Sequence, residues 1–84
     1  MVDTANKFSL WAIEIFVASV EEGSISAAAK RLNSSNSTVS QQLTNLETAL
    51  GSELLDRSTR PMKLKPTGQL FLHRARAILS EVMQ

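Results

Sequence analysis

The order of apolar and turn-forming residues predicts a mainly α-helical domain with a three-helix core, a small β-hairpin and a long C-terminal helix. A short alanine-rich segment, AAAKRL, is followed after a brief polar turn by a longer amphipathic segment. Two short segments with strand character, SELLD and MKLK, then flank the polar turn RSTRP. Apolar residues finally recur at helical spacing after Pro66. This succession is the outline of a winged helix-turn-helix, in which the hairpin is the wing.

The first two predicted helices are bounded by residues that favour helix ends. The first begins near Ser9, whose hydroxyl can cap it, and ends at Gly23, which accepts the left-handed conformation after a helix. Either Ser24 or Ser26 caps the second, short helix, whose consecutive alanines allow another helix to approach closely. The apolar stripe of the first helix is Leu10, Ile13, Phe16, Val17 and Val20, and the predicted buried side of the second is Ala28, Ala29 and Leu32.

The third predicted helix is defined by a regular apolar face. It runs from a cap at Ser35 to about Leu50, and Gly51 ends it. Its apolar residues, at the spacing of one helical face, are Val39, Leu43, Leu46 and Leu50.

The outward face of this third helix carries hydroxyls and amides instead of Lys and Glu. The chain has no acid between Gly23 and Leu46. Short side chains that donate and accept hydrogen bonds suit the base edges of the DNA major groove, and phosphates do not repel a face without carboxylates. The alternative is a polar, serine-rich helix that only faces solvent. The predicted base-reading residues are Asn36, Ser37, Ser40, Gln41 and Thr44.

Charge alone does not distinguish a DNA-binding surface from an ordinary solvated one. The formal net charge is only +1 at pH 7. The distribution is uneven, however, because residues 57–80 contain six basic residues and no acid. A near-neutral domain can therefore present one basic face.

The C-terminal helix is predicted to begin at Pro66, because proline fits the first position of a helix. Four of its apolar residues, Phe71, Ala75, Ile78 and Val82, alternate spacings of four and three, and Leu72 and Leu79 widen the stripe. Such a stripe suits packing against a partner helix. The alternative is that this stripe covers the domain's own core. The predicted dimer seam is Phe71, Leu72, Ala75, Ile78, Leu79 and Val82.

Composition excludes several classes of protein. At 84 residues the chain is one domain, and with no cysteine it has no disulfide framework or thiolate metal site. No apolar run approaches the ~20 residues of a membrane span, and the N-terminus lacks the pattern of a signal peptide. The only histidine, His73, has no neighbouring carboxylate. We therefore expect a soluble, cytoplasmic protein that is not an enzyme and has no metal or cofactor.

The spaced elements together resemble a known family. In order they are I-x-x-F, GSISAAAKRLN, SSNSTVSQQLTNLE-x-x-LG-x-x-LL-x-R-x-x-RP-x-x-L and P-x-G. They resemble the N-terminal winged helix-turn-helix of LysR-type transcriptional regulators over residues 10–78. The resemblance implies a DNA-binding domain over residues 1–65 and the start of a linker and dimerisation helix over 66–84. It also implies that this chain lacks the effector-binding domain, to which any small-molecule effector would bind.

The resemblance also implies roles for individual residues. The family's reading positions fall on Asn36, Ser37, Ser40 and Gln41, and its wing arginine falls on Arg60, which we expect in the minor groove. Asn36 stands where Gln is frequent and Gln41 where Arg is frequent, so the target sequence does not follow from the family. The residues predicted to contact the DNA backbone, or to contact DNA from the wing, are Lys30, Arg31, Ser35, Arg57, Arg60 and Lys63.

The predicted partners are double-stranded DNA, with an interrupted palindromic operator, and a second copy of the chain. The alternative function is a winged helix that contacts proteins and does not bind DNA. That alternative predicts an apolar or acidic face on the third helix, whereas the face in this sequence is polar and has no acid before Glu47.

Overall fold

The computed structural model describes residues 9–82 and contains four helices and one two-stranded sheet in that range. The elements are α1 Leu10–Glu22, α2 Ile25–Arg31, α3 Asn36–Leu50, β1 Leu55–Asp56, β2 Lys63–Leu64 and α4 Pro66–Val82. The predicted winged helix-turn-helix is confirmed. Residues 1–8 and 83–84, which belong to the predicted domains 1–65 and 66–84, lie outside the described residues.

Serine hydroxyls fix the starts of the first three helices. The caps are Ser9, Ser24 and Ser35, which accept hydrogen bonds from the N–H groups of Ala12, Ala27 and Thr38 at 3.0, 3.0 and 3.1 Å. Of the two predicted caps of α2, Ser24 is therefore the one used. Gly23 and Gly51 end α1 and α3 with φ of 78° and 73°, a left-handed conformation that glycine adopts at little cost.

The core lies between α1, α2 and α3 and is closed by the wing and α4. Its largest fully buried apolar side chains are Phe16, Ile15, Leu43, Leu46, Leu54 and Val39. Ala28 and Ala29 of α2 are buried too, as the alanine-rich sequence predicts. At the ends of the predicted α1 stripe, Leu10 is exposed and Val20 is half-buried, because these positions lie at the margin of the helix packing.

The wing is shorter than the predicted strands and is attached at its base. β1 and β2 pair antiparallel, with Leu55 opposite Leu64 and Asp56 opposite Lys63. The turn beyond the ladder has hydrogen bonds of its own, for example from the Thr59 hydroxyl to the carbonyl of Pro61 at 3.0 Å. The N–H of Met62 donates to the carbonyl of Gly23 at 3.0 Å, which holds the wing against the α1–α2 turn.

Helix α4 crosses the wing base at a glycine. A Cβ atom on Gly68 would lie 2.2 Å from the carbonyl oxygen of Leu54, so no side chain fits at this position. The same carbonyl accepts a hydrogen bond from the N–H of Lys65 at 2.9 Å. Backbone contact therefore fixes where α4 begins.

The structure divides the six residues of the predicted seam. Leu72 and Ala75 are buried in this domain's own core, and Phe71 and Leu79 are half-buried against it. The ring of Phe71 packs edge-on against Phe16, with ring centroids 5.3 Å apart. Only Ile78 and Val82 remain exposed, at 39% and 56%. The stripe is wide enough that one edge covers the core while the other stays open to a partner.

No helix between residues 9 and 82 has the length and apolar character needed to cross a membrane.

Candidate nucleic-acid interface

The predicted base-reading residues share one surface of α3. The apolar side of the helix is buried through Val39, Leu43 and Leu46. The candidate reading residues other than Ser40 are exposed, while Ser40 is half-buried at the margin nearest the wing. The exposed residues are Asn36, Ser37, Gln41 and Thr44. The structure thus brings together all five candidates along one helix.

The beginning of α3 is ordered by its cap. The Ser35 hydroxyl accepts from the N–H of Thr38 at 3.1 Å and donates to the hydroxyl of Thr38 at 2.9 Å. It also lies 3.4 Å from the hydroxyl of Ser37. The remaining N–H groups at this helix end are able to donate to an anion such as a phosphate. A DNA contact by Ser35 stays a prediction.

The side chain of Gln41 has a partner on the same helix. Its Nε2 donates to Oδ1 of Asn45 at 2.9 Å, one helical turn away. This bond orients the carboxamide along the exposed face. If Gln41 paired with an adenine through both its amide atoms, the Asn45 bond would have to open or be shared.

Arg57, at the start of the wing turn, is joined to α3 by three side chains. Its guanidinium donates to Ser40 Oγ at 3.3 Å, to Thr44 Oγ1 at 3.3 Å and to Glu47 Oε1 at 3.0 Å. The other oxygen of Glu47 accepts from the N–H groups of Leu54 and Leu55, at 2.7 and 3.3 Å. Glu47, the only acid of α3, therefore faces the wing and not the surface that carries the candidate base-reading residues.

Sequence reasoning missed the role of Glu47. The usable signal was that one carboxylate interrupts an otherwise uncharged helix and that the acid-free region begins with Arg57, ten residues later. The pairing itself depends on how the wing folds back on α3, and no local sequence pattern specifies that geometry.

The other residues predicted to contact the DNA backbone differ in whether their charge is already paired within the domain. Arg31 is paired with Glu21 at 2.9 Å and with Glu22 at 3.2 Å. The hydrogen bond from Arg31 and a second one from Arg76 hold the pKa of Glu21 below its usual value. Lys30 and Lys63 are exposed. A phosphate contact by Arg31 stays a prediction, but it would compete with two carboxylates.

Arg60 lies at the exposed wing tip and folds back onto the wing. Its Nη1 donates to the carbonyls of Arg57 and Thr59, at 2.6 and 3.0 Å. An open cleft of about 240 Å³ separates this arginine from the start of α3. The cleft is lined by Ser24, Ile25, Ser26, Asn36, Arg57, Arg60 and Met62. Both guanidinium groups therefore border one cleft together with Asn36, the first residue of α3.

Within residues 9–82, no three His, Cys, Asp or Glu side chains are grouped so that they could hold a metal ion.

The class of protein that the fold defines is a winged helix-turn-helix domain, with a polar third helix and cations on the adjoining wing. The model of the family described as "Bacterial regulatory helix-turn-helix protein, lysR family" matches residues 10–69. The chain belongs to this LysR family, as its motifs predict.

Named relatives are transcriptional regulators. The chain is 45% identical over 67 residues to the HTH-type transcriptional regulator TfdS of Cupriavidus pinatubonensis, covering 80% of this chain and 23% of TfdS. It is 43% identical over 72 residues to the regulator BenM of Acinetobacter baylyi, covering 86% of this chain and 24% of BenM. The chain thus spans about a quarter of the length of these relatives.

Solved structures share the fold. The DNA-binding domain of BenM in complex with catB site 1 DNA superposes with a TM-score of 0.88 at 42% identity, over 92% of this chain and 83% of that one. The CbnR DNA-binding domain in complex with DNA gives 0.85 at 39% identity, over 89% and 86% of the two chains.

Proposed function

We propose that this chain is the DNA-binding part of a bacterial transcriptional regulator and binds double-stranded DNA with α3 in the major groove. The observation that carries the proposal is the exposed face of α3, which is polar while its single acid is bound by Arg57 at 3.0 Å. Such a face offers hydrogen bonds to base edges without repelling phosphates. The BenM and CbnR domains of similar fold are each described in complex with DNA.

Two amide side chains among the candidate base-reading residues, Asn36 and Gln41, carry sequence choice in this proposal. Asn36 and Gln41 can each pair with an adenine edge, and one good pair is worth ~1–3 kcal/mol of discrimination. Ser37 and Ser40 add shorter contacts between them, and Thr44 adds one beyond Gln41. The exposed cations Lys30 and Lys63 contribute affinity that does not depend on sequence, because they release counterions from phosphates.

The proposal places Arg60 in the minor groove. Its position at the exposed wing tip supports this, because a narrow minor groove attracts arginine by its negative potential. Arg60 would then exchange its two bonds to wing carbonyls for contacts with DNA. Arg60→Ala should weaken binding most on duplexes with A·T-rich flanks. An equal loss on G·C-rich flanks would leave Arg60 as a phosphate contact only.

The chain is further proposed to bind as a homodimer through the exposed edge of α4. Ile78 and Val82 are the apolar side chains of the predicted seam that this domain does not cover. A two-fold dimer binds two half-sites about 34 Å or a multiple apart, so the operator is an interrupted palindrome. We propose a cytoplasmic regulator without enzymatic activity, whose small-molecule effector, where there is one, binds in a further domain.

The test is selection of bound sequences from random duplexes, followed by titration of Gln41→Ala against variants of the selected operator. We expect wild type to enrich a palindromic sequence and Gln41→Ala to lose discrimination at one position in each half-site. Thr48→Ala, an exposed hydroxyl one helical turn beyond Thr44, is the matched control. A uniform loss across all operator variants would remove Gln41 from base reading. If wild type bound no duplex at low salt, the protein-contact function would replace this proposal.

A further inference from the structure

The two hydroxyls beside the wing are in a defined hydrogen-bonding state before DNA arrives. Arg57 contacts the oxygens of Ser40 and Thr44, each at 3.3 Å. A guanidinium only donates hydrogen bonds, so both hydroxyl oxygens act as acceptors here. Among residues 9–82, neither of these hydroxyls donates to a protein acceptor, which leaves their hydrogens available to an outside group.

Arg57 is itself fixed by Glu47. The carboxylate of Glu47 accepts from the N–H groups of Leu54 and Leu55 and from Arg57, so both of its oxygens have partners. The Glu47 side chain is only 13% exposed and the Arg57 side chain 29% exposed, which restricts both. The guanidinium is therefore held over the margin of α3 by the fold and does not depend on DNA for its place.

We propose that Arg57, held by Glu47, is a positioning residue that fixes the hydroxyls of Ser40 and Thr44 as hydrogen-bond donors toward DNA. This inference rests on the proposed function. Serine and threonine hydroxyls ordinarily pair with donors or acceptors on base edges. When the hydroxyl oxygen already accepts from the Arg57 cation, a donor group on a base is an unfavourable second partner, because that donor would have to approach the same positive charge. The two residues then favour bases that present an acceptor in the major groove.

The acceptor preference has a definite chemical meaning. Guanine N7 and O6, adenine N7 and thymine O4 are the major-groove acceptors, whereas the amino groups of adenine and cytosine are donors. Ser40 and Thr44 should therefore select against amino groups at the positions they face. Without Arg57 the same hydroxyls rotate freely and tolerate both kinds of base.

The experiment begins with an operator selected by the wild-type chain and replaces its bases one at a time with analogues. The analogues are 7-deazapurines, which lack N7, 2-aminopurine, which lacks the O6 of guanine, and 5-methyl-2-pyrimidinone, which lacks the O4 of thymine. Affinities are measured for wild type, Thr44→Val, Ser40→Ala and Arg57→Lys. Thr48→Val is the matched control, since it deletes an exposed hydroxyl of α3 that Arg57 does not contact.

For wild type and Thr48→Val, we expect loss of one acceptor to weaken binding by about fivefold or more at one position per half-site. Thr44→Val or Ser40→Ala should be insensitive to that same replacement, because the donor is gone. Arg57→Lys keeps the positive charge but loses the planar fork that spans two hydroxyls. Removal of the acceptor should therefore weaken binding of Arg57→Lys less than binding of wild type. Arg57→Lys should also accept a base that presents an amino group at that position.

Three results overturn the inference. If Arg57→Lys keeps the wild-type analogue profile, Arg57 acts on phosphates or on the fold alone. If thermal unfolding shows that Arg57→Lys is not folded, Thr44→Val and Ser40→Ala decide. The inference is then overturned when neither variant loses sensitivity to the missing acceptor, and it is supported when one does. If wild type enriches an operator but no acceptor replacement weakens binding, the inference fails while the proposed function stands. Failure to enrich any duplex would instead refute the proposed function itself.

Discussion

The joint between the wing and α3 and the joint between α1 and α4 hold the domain together by different means. At the wing, Glu47 accepts from two backbone N–H groups and from Arg57. Between α1 and α4 the contact is apolar, with the rings of Phe16 and Phe71 5.3 Å apart and Ala75 fully buried. The apolar joint lies in the core, whereas the polar joint borders the reading face of α3.

This difference shows how the two joints divide their tasks. Apolar burial is non-directional, so it stabilises the packing of α1 against α4 without orienting any polar group. Charge-assisted hydrogen bonds are directional, so the wing joint also orients Arg57 and the hydroxyls that it contacts on α3. A substitution at the first joint should therefore change stability, while one at the second should change stability and recognition together.

The largest effect is expected from Phe16→Ala, which breaks the apolar joint. Phe16 is fully buried, and truncation of a buried phenylalanine costs about 3–5 kcal/mol of unfolding free energy. That is a large part of the stability of a small domain. Denaturant unfolding followed by circular dichroism measures it. Phe71→Ala, at a half-buried position, is the graded control and should cost less. An equal cost at both positions would show that the ring pair, and not burial, dominates the joint.

A smaller loss is expected from Glu47→Ala, which breaks the polar joint. Two N–H groups and one guanidinium lose their common acceptor, and hydrogen bonds to a charged group are worth about 1.5–3 kcal/mol. Glu53→Ala is the matched control, because Glu53 is an exposed carboxylate whose one ionic partner among residues 9–82 is Lys65. Glu47→Ala should also alter sequence preference in a duplex selection. If its stability loss were no greater than that of Glu53→Ala, the wing would be held by apolar contacts instead.

The two joints were not equally visible in the sequence. Helix bounds followed from serine caps and from the glycines after α1 and α3, because capping and left-handed φ are local properties. The gathering of the reading residues on α3 followed from helical periodicity. The splitting of the seam at Leu72 and Ala75 did not, since a stripe of apolar residues is equally suited to the core and to a partner. The pairing of Arg57 with Glu47 spans ten residues and depends on tertiary folding.

In the proposed dimer, the exposed edge of α4 would form a further apolar contact, with a second copy of the chain. Ile78→Glu should abolish dimerisation at micromolar concentration, because a carboxylate would have to lose its water in an apolar contact. It should affect unfolding less than Phe16→Ala, since Ile78 is already 39% exposed. Sedimentation equilibrium measures the dimer. Leu70→Glu is the matched control, because Leu70 is 61% exposed on α4 but outside the predicted seam. Dimerisation that persists in Ile78→Glu would place the interface elsewhere.

The smallest change in stability is expected from the loss of the Glu21 ion pairs, which lie outside the apolar joint. Glu21 pairs with Arg31 of α2 at 2.9 Å and with Arg76 of α4 at 3.0 Å. The hydrogen bonds from Arg31 and from Arg76 lower the pKa of Glu21 in the folded state below its ordinary value. Its stabilisation is therefore complete above that value and is lost as the pH falls through the lower folded pKa. Because all three side chains are partly exposed, it should amount to about 1 kcal/mol or less. Urea unfolding of wild type and Glu21→Gln should differ slightly at pH 7 and converge in acid, whereas Glu81→Gln, at the exposed end of α4, should match wild type throughout. A Glu21→Gln difference that stayed constant into acid would mean that the side chain acts through packing and not through charge.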